Sequence, residues 1–269
     1  MMQERSFSFH SPCQIGAGAQ QRGIALFVVI VFVMLSMLLA LWASRTSIFS
    51  EMVVGNDADY QRAYEAAQAL LQDAELDIRG QDAGGSPCTP NTSNDKVCRR
   101  NPSIDQIPLE GKDVGKLLAE LNAANTSVNP TQCNNALCIK REGVQDFWNN
   151  ADPSRGTTLG QMTGPTSAGG VVGARYGMFT GAQLGTSNPI LAETAAGKGG
   201  WYWIEVLPYS ESSKNAGLIV DASGVSTKNY LALNLLPSVV YRITSVANGR
   251  KPGSMVVLQQ TYARQKLKD

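Results

Sequence analysis

An unbroken apolar run, "IALFVVIVFVMLSMLLALWA" at residues 24 to 43, restricts this chain more than any other feature. It carries no charge and one hydroxyl, Ser36. As a helix its 20 residues span about 30 Å, the thickness of a bilayer's hydrocarbon core. Thirteen of the 20 are Ile, Leu, Phe or Val. At roughly −0.3 to −0.6 kcal/mol each, these favour insertion by about 4 to 8 kcal/mol. A cleaved secretory signal has a shorter core and a small-x-small cleavage site, and "LWASR" is a poor version of one. The 23 residues in front are also too polar for a Sec leader, with Arg5 and Arg22 against Glu4. Arg22 and Arg45 flank the run on opposite sides, so charge alone orients it weakly.

The sequence after the run predicts a second, water-facing stretch of the same helix. Ala63, Ala66, Ala67, Leu70, Ala74 and Ile78 recur at intervals of three and four, the period of a buried stripe. Gly55-Asn56 would weaken or kink such a helix midway. Unbroken from Ile24 to Arg79 it would measure about 84 Å. Asp57 and Asp59 lack the other ligands of a calcium loop and read as a helix entry.

Residues 80 to 200 are rich in Gly, Ser, Asn, Thr and Pro and read as loops and turns, a surface-like region suited to binding. A short helix is expected at "GKDVGKLLAELNAAN". Residues 201 to 269 hold strand-like segments, "WYWIEVLP", "YLALNLLP", "SVVYRITSVA" and "SMVVLQQTYAR". "ANGRKPG" would close the last hairpin, with positive φ at Asn248-Gly249. The expected fold is α+β, a long N-terminal helix packed on an antiparallel sheet.

Five cysteines are present. Cys13 precedes the apolar run; Cys88, Cys98, Cys133 and Cys138 follow it as two close pairs. In an exported domain these read as disulfides Cys88–Cys98 and Cys133–Cys138, though four cysteines allow three pairings. Zinc is the rival reading, but the spacings match no pair of CxxC knuckles and the sole histidine is His10. No metal or cofactor is expected. Disulfides place the C-terminal domain in an oxidising compartment such as the periplasm.

A polar leader ending in Gly, an apolar helix starting at the next residue and an amphipathic extension together resemble a type IV prepilin. More narrowly, "QRGIALFVVIVFVMLSMLLALWASRTSIFSEMVVGN", "QRAYEAAQALLQDAE" and the terminal "VVYRITSVANGRKPGSMVVLQQTYAR" resemble the PilX family of minor pilins. The resemblance covers about a third of the chain and does not extend over residues 80 to 200. It implies a leader, 1 to 23, cut by prepilin peptidase between Gly23 and Ile24, with methylation of the new Ile24 amine. It divides the helix into a transmembrane half, 24 to 43, and an amphipathic half, 44 to 79. The implied partners are other minor pilins, the major pilin, a large tip adhesin and the inner membrane. Most pilins carry Glu at the fifth mature position, where this chain has Val28. That acid's implied role is to pair with the amine of the previously added subunit, so a subunit without it suits the first place in the fibre.

Enzyme chemistry finds no support. His10 lies in the leader, which removes Ser-His and Cys-His mechanisms from the mature chain. No P-loop occurs, and "GAGAQQRG" follows no strand. Net charge is +1, so nucleic acid is not an expected partner. The basic cluster Arg264, Lys266 and Lys268 reads as a solvated tail, and Trp201 and Trp203 as packing residues. Asn91 and Asn125 head sequons that matter only in a glycosylating host. Two other readings remain: a K-type pseudopilin of type II secretion, and a bitopic membrane protein with an extracytoplasmic binding domain.

Overall fold

A run of Leu, Val, Ile and Phe followed by Ala, Gln, Leu and Arg offers the backbone no interior proline and few breakers, so helix propagates. In the computed structural model α1 accordingly spans Ile24–Arg79. The structure describes residues 24–90, 94–99, 107, 111–123, 131–141, 145–166, 170–184, 188–195, 197–208 and 235–265. The chain divides into two compact units, one ending at Val54 and one running Gly55–Asp269.

Up to Val54 no α1 side chain is buried. Two of its hydroxyls turn back on the helix: Ser36 donates to the Phe32 and Val33 carbonyls (2.8 and 2.9 Å), and Thr46 donates to the Trp42 carbonyl at 2.9 Å. These bonds leave no hydroxyl of the run seeking a partner in an apolar surrounding. The window is long and apolar enough to cross a membrane once.

In the second unit the six stripe residues Ala63, Ala66, Ala67, Leu70, Ala74 and Ile78 are all fully buried. Gly55 and Asn56 sit within the helix. A Cβ at Gly55 would lie 2.6 Å from Lys251 Nζ, the far end of an exposed and flexible side chain. α1 stops at Gly80, whose positive φ of 66° suits glycine. The amides of Gly80 and Gln81 donate to the Asp77 and Leu76 carbonyls (3.0 and 2.9 Å), the paired bonds of a Schellman cap. The expected short helix is α2, Gly111–Ala123, and a one-turn helix α3 covers Leu159–Met162.

Among the described residues five strands form one sheet in sequence order: β1 Cys133–Asn134, β2 Leu137–Ile139, β3 Gly200–Pro208, β4 Leu235–Asn248 and β5 Met255–Gln265. Its junctions are antiparallel except β2–β3, which pair in parallel with Leu137 opposite Ile204. The roughly 60-residue connection between those strands gives the chain room to return in the same direction. Of "YLALNLLP", residues 235–237 open β4 and the rest lie outside the described residues. The β4–β5 register shifts between Leu235 and Val240, around Pro237, which has no amide hydrogen to give a ladder.

β3 is buried on both faces as far as Val206. One face, with Tyr202, Ile204 and Val206, joins β4 residues Val239, Tyr241 and Ile243 under α1 and α2. The other, with Trp201 and Trp203, packs on Cys133, Cys138, Phe147, Met162 and Val172. The Gly/Ser/Asn-rich middle region thus supplies a second layer to the core. Trp203 also donates through Nε1 to the Met162 carbonyl at 3.0 Å.

The last hairpin corrects one expectation. Positive φ falls at Gly253 (83°), not at Asn248-Gly249. Gly249 is required for a different reason: its Cβ would stand 2.3 Å from Asp59 Oδ2 and 2.5 Å from Ser254 Cβ. Asp59 is not a helix entry either, because it lies inside α1 and binds the turn of this hairpin.

Candidate assembly site

The apolar half of α1 presents its side chains outward from the first described residue. Ile24 is 62% exposed and Val28 42% exposed. No acid occurs in the helix's first turn, and the first carboxylate along α1 is Glu51. Gly23 lies outside the described residues. This surface offers dispersion contacts and no charge, so its chemistry is that of a lipid-facing or helix-facing element.

The second unit anchors its share of α1 through buried charge. Asp59 accepts from the Arg250 and Lys251 amides, both at 3.0 Å, and Lys251 Nζ donates to Asn56 Oδ1 at 3.1 Å. Desolvation pushes the Asp59 carboxyl up, but the Lys251 and Arg250 amides, the Ser254 hydroxyl and the Lys251 charge outweigh it and hold the pKa below the usual value. Further along, Asp73 accepts from the Thr180 hydroxyl and from the Gly177 amide (2.8 Å). Burial raises its pKa to about 6 against those bonds, with the Asp77 charge adding to the rise. Asp77 takes both arms of Arg99, Nε at 2.9 Å and Nη2 at 2.6 Å. The Arg99 guanidinium also lies 3.8 Å from the Phe179 ring centroid.

On the sheet, Glu205 is fully buried between Arg141 (Nε, 3.3 Å) and Arg242 (Nε 2.5 Å, Nη2 2.9 Å). Burial pushes this carboxyl up, and the Arg242 bonds with the two arginine charges pull it below its ordinary value. Arg175 gathers the loop before β3: it donates to the carbonyls of Glu193, Lys198, Gly200, Thr194 and Ala195 and stacks 3.6 Å from the Trp201 ring. Burial lowers its pKa to about 10, against the pull of Glu193.

Cys88–Cys98 and Cys133–Cys138 are bonded, with Cα separations of 5.6 and 4.1 Å. Among the described residues no group of three His, Cys, Asp or Glu is placed to hold a metal ion. Asn91 and Asn125 lie outside the described residues.

A profile described as PilX N-terminal matches residues 22–72, and one described as type IV pilus assembly protein PilX C-term matches residues 118–264, more than half the chain. The chain belongs to the PilX family. It is thus a type IV pilus assembly protein, and the outward-facing helix is its single candidate membrane span among the described residues. No curated protein and no solved structure matches it. The C-terminal profile begins inside α2 and ends in β5, so the middle layer behind Trp203 belongs to the family's domain.

Asp73 and Asp77 escaped the sequence reading, and Asp59 was given another role, although the signal of all three was present. With Ala63, Ala66 and Leu70 they continue the three-four spacing of the buried stripe. A carboxylate in phase with a buried face must find a partner inside the fold.

Proposed function

We propose that this chain is a minor pilin of a priming complex, added first and retained at the fibre tip. Val28 carries the reading. An acid in the apolar helix costs free energy in lipid and is kept where it does work. In a subunit with no predecessor it has no amine to meet, and α1 has no carboxylate before Glu51. The precursor sits in the inner membrane with its C-terminal domain in the periplasm. Prepilin peptidase cuts between Gly23 and Ile24, and the Ile24 amine is methylated. Other minor pilins, the major pilin and a large tip adhesin are its partners, and through them it serves adhesion and twitching motility.

The test is Val28→Glu with labelled protein located on purified fibres. Wild-type label at the fibre end, and its redistribution or impaired assembly in the variant, is the expected outcome. Unchanged assembly with label all along wild-type fibres would sink the tip reading. Mass spectrometry of the mature N-terminus separately tests processing: a methylated Ile24 is expected, and an intact leader removes the pilin mechanism.

A further inference from the structure

We propose that the Cys88–Cys98 disulfide seats Arg99 as a latch on the C-terminal end of α1, so that the Arg99–Asp77 pair closes fully only in the oxidised chain. Asp73 and Asp77 stand one turn apart on α1, 2% and 7% exposed. Two buried carboxylates so placed repel one another and need a cation. Arg99, 4% exposed, supplies it with a bidentate pair to Asp77 and donates a further bond from Nη1 to the Asn135 carbonyl at 3.1 Å.

Arg99 reaches this position from an unfavourable backbone. Cys98 and Arg99 both adopt left-handed φ, 60° and 46°. Adjacent non-glycine residues persist in that region only where the surroundings over-determine them. The surroundings here are specific. The Cys98 amide donates to the Phe179 carbonyl and the Cys88 amide to the Gly80 carbonyl, both at 2.9 Å. Gly80 is the residue that caps α1. The disulfide therefore ties the residue before Arg99 to the strand of chain leaving the helix cap. Without it, the left-handed pair is held by the Cys98 amide bond to Phe179 and the Arg99 contacts, with no cross-link to the chain leaving the helix cap. A cavity of about 170 Å³, lined by Asp77, Ile78, Cys88, Cys98, Arg99 and Phe179 among others, adjoins the pair. Arg99 has space beside it into which to withdraw.

Coupling of this kind is reciprocal: whatever the disulfide contributes to seating Arg99, the seated Arg99 contributes to the disulfide. Reduction by glutathione consumes two thiols, delivers two electrons and two protons to Cys88 and Cys98, and releases one glutathione disulfide. The full chain in detergent is equilibrated in glutathione buffers, thiols are trapped by alkylation, and each cysteine is quantified by mass spectrometry. Arg99→Gln and Asp77→Asn should each make Cys88–Cys98 at least tenfold easier to reduce, with Cys133–Cys138 unmoved. An unmoved Cys88–Cys98 midpoint overturns the latch, and so does an equal shift of both disulfides, which would mean general unfolding. In Cys88→Ser/Cys98→Ser, amide protection at Gly80, Gln81 and Arg99 should fall at least tenfold; undiminished protection there also overturns it.

Discussion

Replacing Glu205 by Gln keeps the volume of a fully buried side chain and deletes its charge. The carboxylate is held by Arg141 through Nε and the backbone amide (3.3 and 3.2 Å) and by Arg242 through Nε and Nη2 (2.5 and 2.9 Å). Arg141 is 5% exposed, so it has little water to turn to. Gln retains one acceptor and turns an amide donor toward guanidinium donors. Breaking a buried pair from one side costs about 3 to 5 kcal/mol, and the retained acceptor argues for the lower end, about 3 to 4. At about 2 to 4 °C per kcal/mol for a domain of this size, Tm should fall by about 6 to 16 °C. Trp201 and Trp203 lie on the same strand, so their fluorescence reports the unfolding of the detergent-solubilised chain directly. The Glu205 pKa is depressed in the fold, so its contribution is present above the ordinary value of 4.5 and lost as pH falls through the folded pKa. The gap between wild type and variant should therefore close in acid. Combining Glu205→Leu with Arg141→Met and Arg242→Met should recover most of the loss, since the charges are then removed together. A loss under about 1 kcal/mol at neutral pH for Glu205→Gln would refute the reasoning, because the arginines would then have been satisfied without the acid.

Asp73 should act with the opposite sign. Its pKa is raised from 3.8 to about 6, so its contribution is fully present below the unfolded value and lost as pH rises through the folded one. Wild type should gain roughly 2 to 2.5 kcal/mol relative to Asp73→Asn between pH 7.5 and pH 4, read by thermal melts at each pH. Gly249→Ala should cost about 1 to 3 kcal/mol by driving a methyl into Asp59 and Ser254, with faster hydrogen exchange at Arg250 and Lys251. Gly253→Ala meets nothing within 4 Å and should cost only the left-handed penalty of about 1 to 2 kcal/mol. A cost under about 1 kcal/mol at Gly249, or unchanged exchange at Arg250 and Lys251, would count against the close-approach account.

Periodicity made the long elements legible. The apolar run and the Ala63-to-Ile78 stripe are repeats of hydrophobicity, and the structure buries that stripe residue for residue. Strands rich in Val, Ile, Tyr and Trp were equally plain. The parallel β2–β3 junction was not, because β1 and β2 have two and three residues and no pattern can speak through so few. The middle region was hidden for a related reason. Its buried residues, such as Phe147, Met162 and Val172, come singly among turns, and only the three-dimensional path brings them onto Trp203. At the assembly site, Val28 stood out against the family pattern. The paired acids of α1 instead follow from combining two signals, stripe phase and charge, that are ordinarily weighed apart.

The turn between β4 and β5 also bears on mechanics. Any tension carried along the backbone past Val54 enters the second unit at Gly55. Within five residues it meets Asp59, bonded to the amides of Arg250 and Lys251, with Asn56 bonded to Lys251 Nζ alongside. A pull on the helix is thus shared at once with a hairpin of two long strands, through bonds that lie ahead of the Ala-rich stripe in the chain. The hairpin turn and the first residues of the second unit's helix thus respond to load together.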